Sequence, residues 1–271
     1  MAPEHDHDRG LAFDLATLSR RRTLGLLGGG ALAVLVGCGS DDHDAASTTS
    51  TPGASAGECA TIPEETAGPF PGDGSNGPDV LGEDGIVRRD IRSSFGSSST
   101  TAEGEPLTIR LALTDSSGGC TALPGVAVYV WHCDRDGGYS LYSDGLEDEN
   151  YLRGVQEADA DGRVQFTSIF PGAYPGRWPH VHFEVYDSLE AATGRGTPVA
   201  TSQIALPEDV CTAVYATSGY EASVGYLART SLTSDMVFGD DGGASQLGTV
   251  SGSVDDGLVV ELAVPVEASS A

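Results

Sequence analysis

The sequence predicts an all-β protein, a β-sandwich with long loops and little helix. Three observations carry that expectation. Short runs alternate apolar and polar residues with a period of two, clusters of Gly, Pro, Asp and Ser separate them, and helical periodicity is weak. Strands of this length at such spacing, rich in β-branched residues, make two packed sheets. Leu107 to Thr114 alternates strictly, so one of its faces meets a core. Val126 to Trp131 repeats the pattern. Asp159-Ala160-Asp161-Gly162 is a turn that leads into Val164 to Ile169. His180 to Tyr186 and Val199 to Ala205 follow as strands, with Ser188 to Thr193 forming a turn or two of helix between them. Gly248 to Val254 and Leu258 to Val264 flank the turn Asp255-Asp256-Gly257 and end the series.

The folded part does not begin at residue 1. Ser19-Arg20-Arg21-Arg22-Thr23-Leu24 reads as a twin-arginine export signal, followed by an apolar run from Leu24 to Val36. That run is shorter than the roughly 20 residues of a membrane span. It ends at Leu35-Val36-Gly37-Cys38, which looks like a bacterial lipobox with Cys38 as the lipidated residue. Residues 39–57 hold almost nothing but Ser, Thr, Asp, Ala and Gly and read as a flexible tether. The sequence therefore divides into a signal at 1–38, a tether at 39–57 and a β-sandwich domain at 58–271. The expected location is the outer face of a bacterial cytoplasmic membrane, held by the lipid on Cys38; without lipidation the chain is simply secreted.

The chain carries 40 acidic against 14 basic residues, a formal charge of -26, and every basic residue is arginine. Such a surface repels nucleic acid and offers no polybasic patch to anionic lipid, so the only membrane contact expected is the N-terminal anchor. With Cys38 assigned to the lipid, Cys59, Cys120, Cys133 and Cys211 remain. An even number in an exported domain suggests two disulfides with three possible connectivities.

The chemistry concentrates in Pro171-Gly172-Ala173-Tyr174-Pro175 and Arg177-Trp178-Pro179-His180-Val181-His182-Phe183. On an extended strand His180 and His182 project from one face and can chelate a metal, and the Gly/Pro turn can swing the Tyr174 phenol to the same point. For a bare His-x-His pair, zinc is the default metal. Upstream, Trp131-His132-Cys133-Asp134-Arg135-Asp136-Gly137-Gly138-Tyr139-Ser140-Leu141-Tyr142 places Tyr139 on a loop beyond a strand end, where functional groups concentrate. Tyr142 is the competing phenol. His132, between Trp131 and Cys133, reads as structural.

The order of these pieces resembles the intradiol ring-cleavage dioxygenases. Trp-His-Cys-Asp-x-x-Gly-x-Tyr-Ser comes first, then Leu152-Arg153-Gly154-x-Gln156, then Asp-x-Asp-Gly-x-Val-x-Phe, then Pro-Gly-x-Tyr-Pro-Gly-Arg-x-x-His-x-His. The set is most similar to exported single-chain relatives of the protocatechuate 3,4-dioxygenase β chain. Thr66-Ala67-Gly68-Pro69-Phe70 and Arg89-Asp90-Ile91-Arg92 extend the resemblance, which runs from about Cys59 to Gln203.

The resemblance implies one Fe(III) per chain held by Tyr139, Tyr174, His180 and His182. It also implies a catecholic substrate opened by O2 between its two hydroxylated carbons to a muconate-type diacid. Tyr174 would take a substrate proton, Arg177 would stabilise negative charge developing on the ring, and Gln203 would line the same pocket with Gly68 and Pro69 nearby. The donor set agrees with the metal independently, because phenolate is a hard anionic oxygen that favours ferric iron. Arg177 is out of phase with the ligands, so a bend at Trp178-Pro179 is required to bring it in. A single tethered chain is compatible with a homodimer. Two other functions could use the same residues: a β-sandwich module that binds an aromatic or matrix component without catalysis, and a zinc hydrolase built on His180 and His182 with Glu184 on the same strand face.

Overall fold

The computed structural model of the protein describes residues 59–267. The export signal, Cys38 and the tether lie outside them. Strand β1 (Pro106–Asp115) buries every second residue, and Leu107, Ile109, Leu111 and Leu113 all face the core. Then come β2 (Thr121–Ala122), β3 (Ala127–Trp131), β4 (Arg153–Glu157), β5 (Arg163–Ile169) and β6 (His180–Tyr186). Helix α1 (Leu189–Thr193) precedes β7 (Ala200–Ala205), and helices α2 (Glu208–Tyr215) and α3 (Glu221–Leu227) precede β8 (Thr249–Ser253) and β9 (Gly257–Val266).

The strands form two sheets. One has the order β2-β1-β9-β8, with β5 also paired to β1; the other has the order β4-β3-β6-β7 and is antiparallel throughout. The last strand, β9, lies parallel to β1 at the centre of its sheet, so the C-terminal segment completes the sandwich. Between the sheets, Ile109, Leu111, Phe166 and Val260 pack against Val128, Val130, Val181, Phe183 and Val185.

The four-stranded sheet is buried on both faces, which is why β3, β6 and β7 have no exposed residue. Its second face carries Tyr129 and Trp131 from β3 and Tyr186 from β6, covered by Val80, Leu81 and Ile86 of an irregular N-terminal segment. That segment pairs only through isolated bridges such as Val87 with Val155. The chemistry lies on this covered face.

The strands expected from alternation are present. Missed were β2, β4 and the helices α2 and α3. Both helices are shorter than three turns, and α2 announces itself only by Pro207 before Glu208 and Asp209, acids that suit a helix N-terminus. The two-disulfide expectation is corrected. Cys59 and Cys120 are bonded, with Cα atoms 5.5 Å apart, but Cys133 and Cys211 are free thiols. Cys133 sits in the covered face with its Sγ directed at the Gly172 carbonyl, and Cys211 sits in the inter-sheet core near the Leu206 carbonyl. They belong to different apolar clusters and are not bonded to each other. The bonded pair spans 61 residues, a loop whose closure is worth roughly 4 kcal/mol in the chain-entropy picture.

His132 is structural, as expected. It is buried, with Nδ1 2.7 Å from the Cys133 carbonyl and Nε2 2.7 Å from Ser168 Oγ, contacts that fit the neutral ring. Burial pushes its pKa down to about 4.

Two predictions follow from these environments. Alkylation mapped by peptide mass spectrometry should label Cys133 and Cys211 on unfolding without reductant, and Cys59 and Cys120 only after reduction; a shielded Cys133 in the unfolded, unreduced chain would refute the assignment. For His132, the unfolded chain takes up a proton below its ordinary pKa of 6.5 while the folded chain resists until about 4, so stability drains away as pH falls through that window. Relative to wild type, His132→Asn should therefore gain roughly 3 kcal/mol between those pH values, at about 1.4 kcal/mol per unit, as read by urea denaturation.

Candidate metal centre

Four donor atoms meet on the covered face of the four-stranded sheet. Tyr139 Oη lies 3.2 Å from Tyr174 Oη, Tyr174 Oη lies 3.2 Å from His180 Nε2, and His180 Nε2 lies 3.0 Å from His182 Nε2. The histidines share one face of β6, as the period-two spacing requires. Tyr139 arrives on the loop after β3, and its ring is buried against Phe70, with centroids 4.8 Å apart. Tyr174 arrives on the segment before β6 and is half-buried beside the exposed Pro175-Gly176 turn. Helices α2 and α3 hold that segment: the Tyr215 hydroxyl donates to the Pro171 carbonyl, the hydroxyl of Tyr220 to the Phe170 carbonyl, and the Ala173 amide to Ser223 Oγ.

The imidazoles are oriented from behind. His180 Nδ1 donates to the Trp178 carbonyl at 2.5 Å, which leaves its Nε2 lone pair directed at the other donors. The Trp131 indole stacks on the His182 ring at 4.8 Å and 8°. Burial, with Arg177 nearby, pushes His180 down to about 3, and burial with His180 beside it pushes His182 well below 6.5. Both rings are therefore neutral and able to act as ligands at neutral pH. Burial pushes both phenols above their ordinary 10, so phenolates form here only beside a cation. Two imidazole nitrogens and two phenol oxygens thus face one another, and a cation satisfies all four lone pairs at once. The donor set fits ferric iron, for which hard anionic oxygens are preferred.

The structure places Tyr142 elsewhere. Its hydroxyl donates to Asn76 Oδ1 at 2.9 Å and accepts from the Gly72 amide at 2.8 Å. Among the described residues, no three His, Cys, Asp or Glu side chains gather at one point, as a hydrolytic zinc site of the usual kind would need. Glu184 does share the strand face of His182, but its Oε2 accepts from the Tyr186 hydroxyl at 2.6 Å.

Arg177 is not on β6 at all. The chain bends at Pro179, and the side chain runs buried towards β7. Its Nη2 donates to Gln203 Oε1 at 2.6 Å and its Nε to Asp235 Oδ2 at 3.0 Å. Gln203 Nε2 in turn donates to the Thr66 carbonyl at 3.0 Å, which fixes the amide with its oxygen towards the arginine. Asp235 also accepts from the Trp178 amide at 2.6 Å and so pins the bend itself. Burial alone would raise the Asp235 carboxyl, but Arg177 and that amide hold it below the usual range. Asp235 was not found from sequence. It lies 58 residues beyond Arg177, in a loop with no spacing signal.

Gly68, Pro69 and Phe70 form a wall beside the donors. A Cβ on Gly68 would stand 3.4 Å from His182 Cε1, and the residue has a φ of +72°, so a side chain here is strained and would lean on the ligand ring. The acidic side chains of the loop from Leu141 to Tyr151 turn away from the donors. Asp144, Glu147 and Asp148 face solvent, and Glu149 is engaged by Ser94, Ser98 and Thr100.

Comparison with known proteins agrees with this geometry. A family model described as Dioxygenase matches residues 85–201, a segment that holds both tyrosines, Arg177 and both histidines. Chlorocatechol 1,2-dioxygenase of Rhodococcus opacus is 37% identical over 71 residues, which is 26% of this chain and 27% of that protein. The match thus spans about a quarter of that curated relative. An intradiol ring-cleavage dioxygenase from Tetranychus urticae superposes with a TM-score of 0.57 at 25% identity, over 69% of this chain and 90% of its own. A second dioxygenase crystal structure shares the fold, with a TM-score of 0.62 at 24% identity over 78% and 96% of the two chains. Over residues 85–201 and in its overall fold the chain is thus similar to dioxygenases, an intradiol ring-cleavage enzyme among them.

Proposed function

We propose that this protein is an exported, ferric-iron intradiol dioxygenase that opens a catecholic ring with O2 between the two hydroxylated carbons. The product is a muconate-type diacid that retains both oxygen atoms. The observation that carries this reading is the convergence of two phenols and two neutral imidazoles at 3.0–3.2 Å beside a braced arginine. Bound Fe(III) would supply a Lewis acid that draws electron density from a chelated catecholate and so exposes a ring carbon to O2.

The chain's own residues divide the remaining work. Two phenolates and two neutral imidazoles leave one net positive charge of the three on a ferric ion, enough to attract a catechol dianion. Tyr174 is the phenol suited to give way and accept a substrate proton at Oη, because it is half-buried next to an exposed turn. Tyr139, packed on Phe70 within the covered face, is suited to stay. Arg177 spends Nε and Nη2 on Asp235 and Gln203, and Nη1 has no partner among the described residues. Its two N–H groups are free to meet negative charge that grows on the ring, and the bracing means no reorganisation is needed when they do. Pro69 and Phe70 shield the reacting face from water.

The protein should be burgundy when loaded with iron, from phenolate-to-Fe(III) charge transfer. Tyr139→Phe should lose a large share of that visible absorption, whereas Tyr142→Phe should keep it; the reverse pattern would disprove the ligand assignment. Oxygen electrode traces with a panel of catechols should show uptake, and Arg177→Ala should lower kcat on the order of 100-fold or more. No uptake across the panel by an iron-replete protein would favour a binding module, and stoichiometric zinc would favour a hydrolase.

The location is part of the proposal. The twin-arginine signal and the lipobox-like tetrapeptide support export and lipidation of Cys38. Metabolic labelling with a fatty acid should mark the wild-type chain and not Cys38→Ser; an unlabelled wild type recovered in the medium would mean simple secretion.

A further inference from the structure

We propose that Arg153 is a positioning residue for the metal centre, its one guanidinium fastening the pocket wall at Phe70 and Pro71 to the turn that presents Tyr139. The functional part of this inference rests on the reading of Tyr139 as a metal ligand. Arg153 opens β4 opposite Trp131, which itself lies opposite His182, so all three share the covered face of the sheet.

The side chain is 0% exposed, yet no described carboxylate pairs with it. Its donors are nonetheless all used. Nε donates to Ser140 Oγ at 3.0 Å. Nη1 donates to the Pro71 carbonyl at 2.8 Å and to Tyr129 Oη at 3.0 Å. Nη2 donates to the Phe70 carbonyl at 3.0 Å and the Ser140 carbonyl at 2.8 Å. A guanidinium has five N–H groups, and here five neutral oxygens take them. The charge is desolvated without being neutralised, a cost that an apolar side chain of similar volume would avoid.

What that cost secures is a junction between segments far apart in sequence. Ser140 directly follows Tyr139, and Phe70 and Pro71 continue the wall that begins at Gly68 beside His182. The two segments also lean on each other: the Phe70 ring meets Tyr139 at 4.8 Å and Tyr142 at 5.3 Å, and Tyr142 Oη accepts from the Gly72 amide. The approach is as close as the chain allows. A Cβ on Gly72, whose φ is +69°, would stand 2.9 Å from Arg153 Nη1 and 3.0 Å from Leu141 Cδ1.

Backbone strain marks the same junction. Among the described residues, four non-glycine positions have positive φ, and two of them are Leu152 at 58° and Leu141 at 73°, one beside Arg153 and one beside Ser140. Such conformations persist only where the surroundings over-determine them, and they gather at functional sites. The five-bond guanidinium supplies that determination. Lysine could not, because a single ammonium has three donors and no fork.

The test compares Arg153→Lys, Arg153→Met and Gly72→Ala, the last disturbing the junction from the wall side. Three readouts are taken on variants that keep the wild-type far-UV circular dichroism: amide hydrogen exchange, the visible spectrum of iron-loaded protein, and steady-state kinetics with a diol. Exchange in residues 66–76 and 137–143 should rise together, on the order of tenfold, while β1 and β9 keep their protection. The charge-transfer band should shift or weaken, and KM for the diol should rise by a larger factor than kcat falls. Arg153→Lys should recover only part of each. A folded Arg153→Met with the wild-type band and exchange changed only in β4 would make Arg153 a packing residue and overturn the proposal, as would uniform loss of protection over every strand. If the wild type itself takes up no ferric iron, the functional reading fails, while the paired exchange response still decides whether Arg153 joins the two segments.

Discussion

The site depends on the register of β6 between β3 and β7. His182 lies opposite Trp131 on one side and Gln203 on the other, so one pairing supplies the ring that stacks on a ligand and the amide that braces the arginine. Side chains alternate faces, and a slip of one residue would send both imidazoles into the inter-sheet core. Val181, Phe183 and Val185 prevent it, because each is fully buried on that core side. A slip would turn all three onto the donor-bearing face and strand the imidazoles in apolar surroundings without their partners, at about 1–3 kcal/mol for each unsatisfied polar group. The apolar half of β6 therefore fixes the chemistry of its polar half.

A second constraint is the placing of positive charge. A chain with a formal charge of -26 keeps two arginines buried on the site-bearing face, and it treats them differently. Arg177 is balanced by Asp235, a buried pair of which either half alone would cost roughly 3–5 kcal/mol. Arg153 has only neutral acceptors. The first arrangement holds a cation still while leaving the Nη1 N–H groups without a partner among the described residues. The second binds backbone to backbone and leaves no donor over. The same residue type thus keeps donors in reserve in one place and spends them all as a joint in the other.

The parts legible in the sequence were those that follow a local period or a local spacing. β1, β3, β5, β6 and β9 declared themselves by alternation, and His180 with His182 by the period-two rule. Tyr139 was separable from Tyr142 only through the order of motifs around it, because both lie on the same loop with the same chemistry; the structure adds the reason, that the Tyr142 hydroxyl is spent on Gly72 and Asn76. Asp235 was invisible because its partner is set by tertiary closure of a loop. The cysteines misled for a related cause. Counting gives parity, but pairing needs geometry, and Cys133 and Cys211 are packed into different apolar clusters. Arg153 stands within the Leu152-Arg153-Gly154 motif, yet nothing local reveals that its five acceptors come from Phe70, Pro71, Tyr129 and Ser140.

The irregular cover of the four-stranded sheet completes the logic. Two regular sheets packed face to face stand about 10 Å apart, with side chains filling the gap. Backbone that must come close to an imidazole on the sheet surface cannot carry side chains on that side. A segment held by isolated bridges can meet that condition, since Gly68 can approach the His182 ring with no side chain between them. Such a cover lacks a ladder of its own to hold it in place. Its position comes instead from bonds reaching up from the sheet, from Gln203 to Thr66, from Tyr129 to Pro71 and from Arg153 to Phe70 and Pro71. The absence of a strand there is what lets bare backbone approach the imidazole, and those polar contacts from the sheet below are what hold that backbone in place.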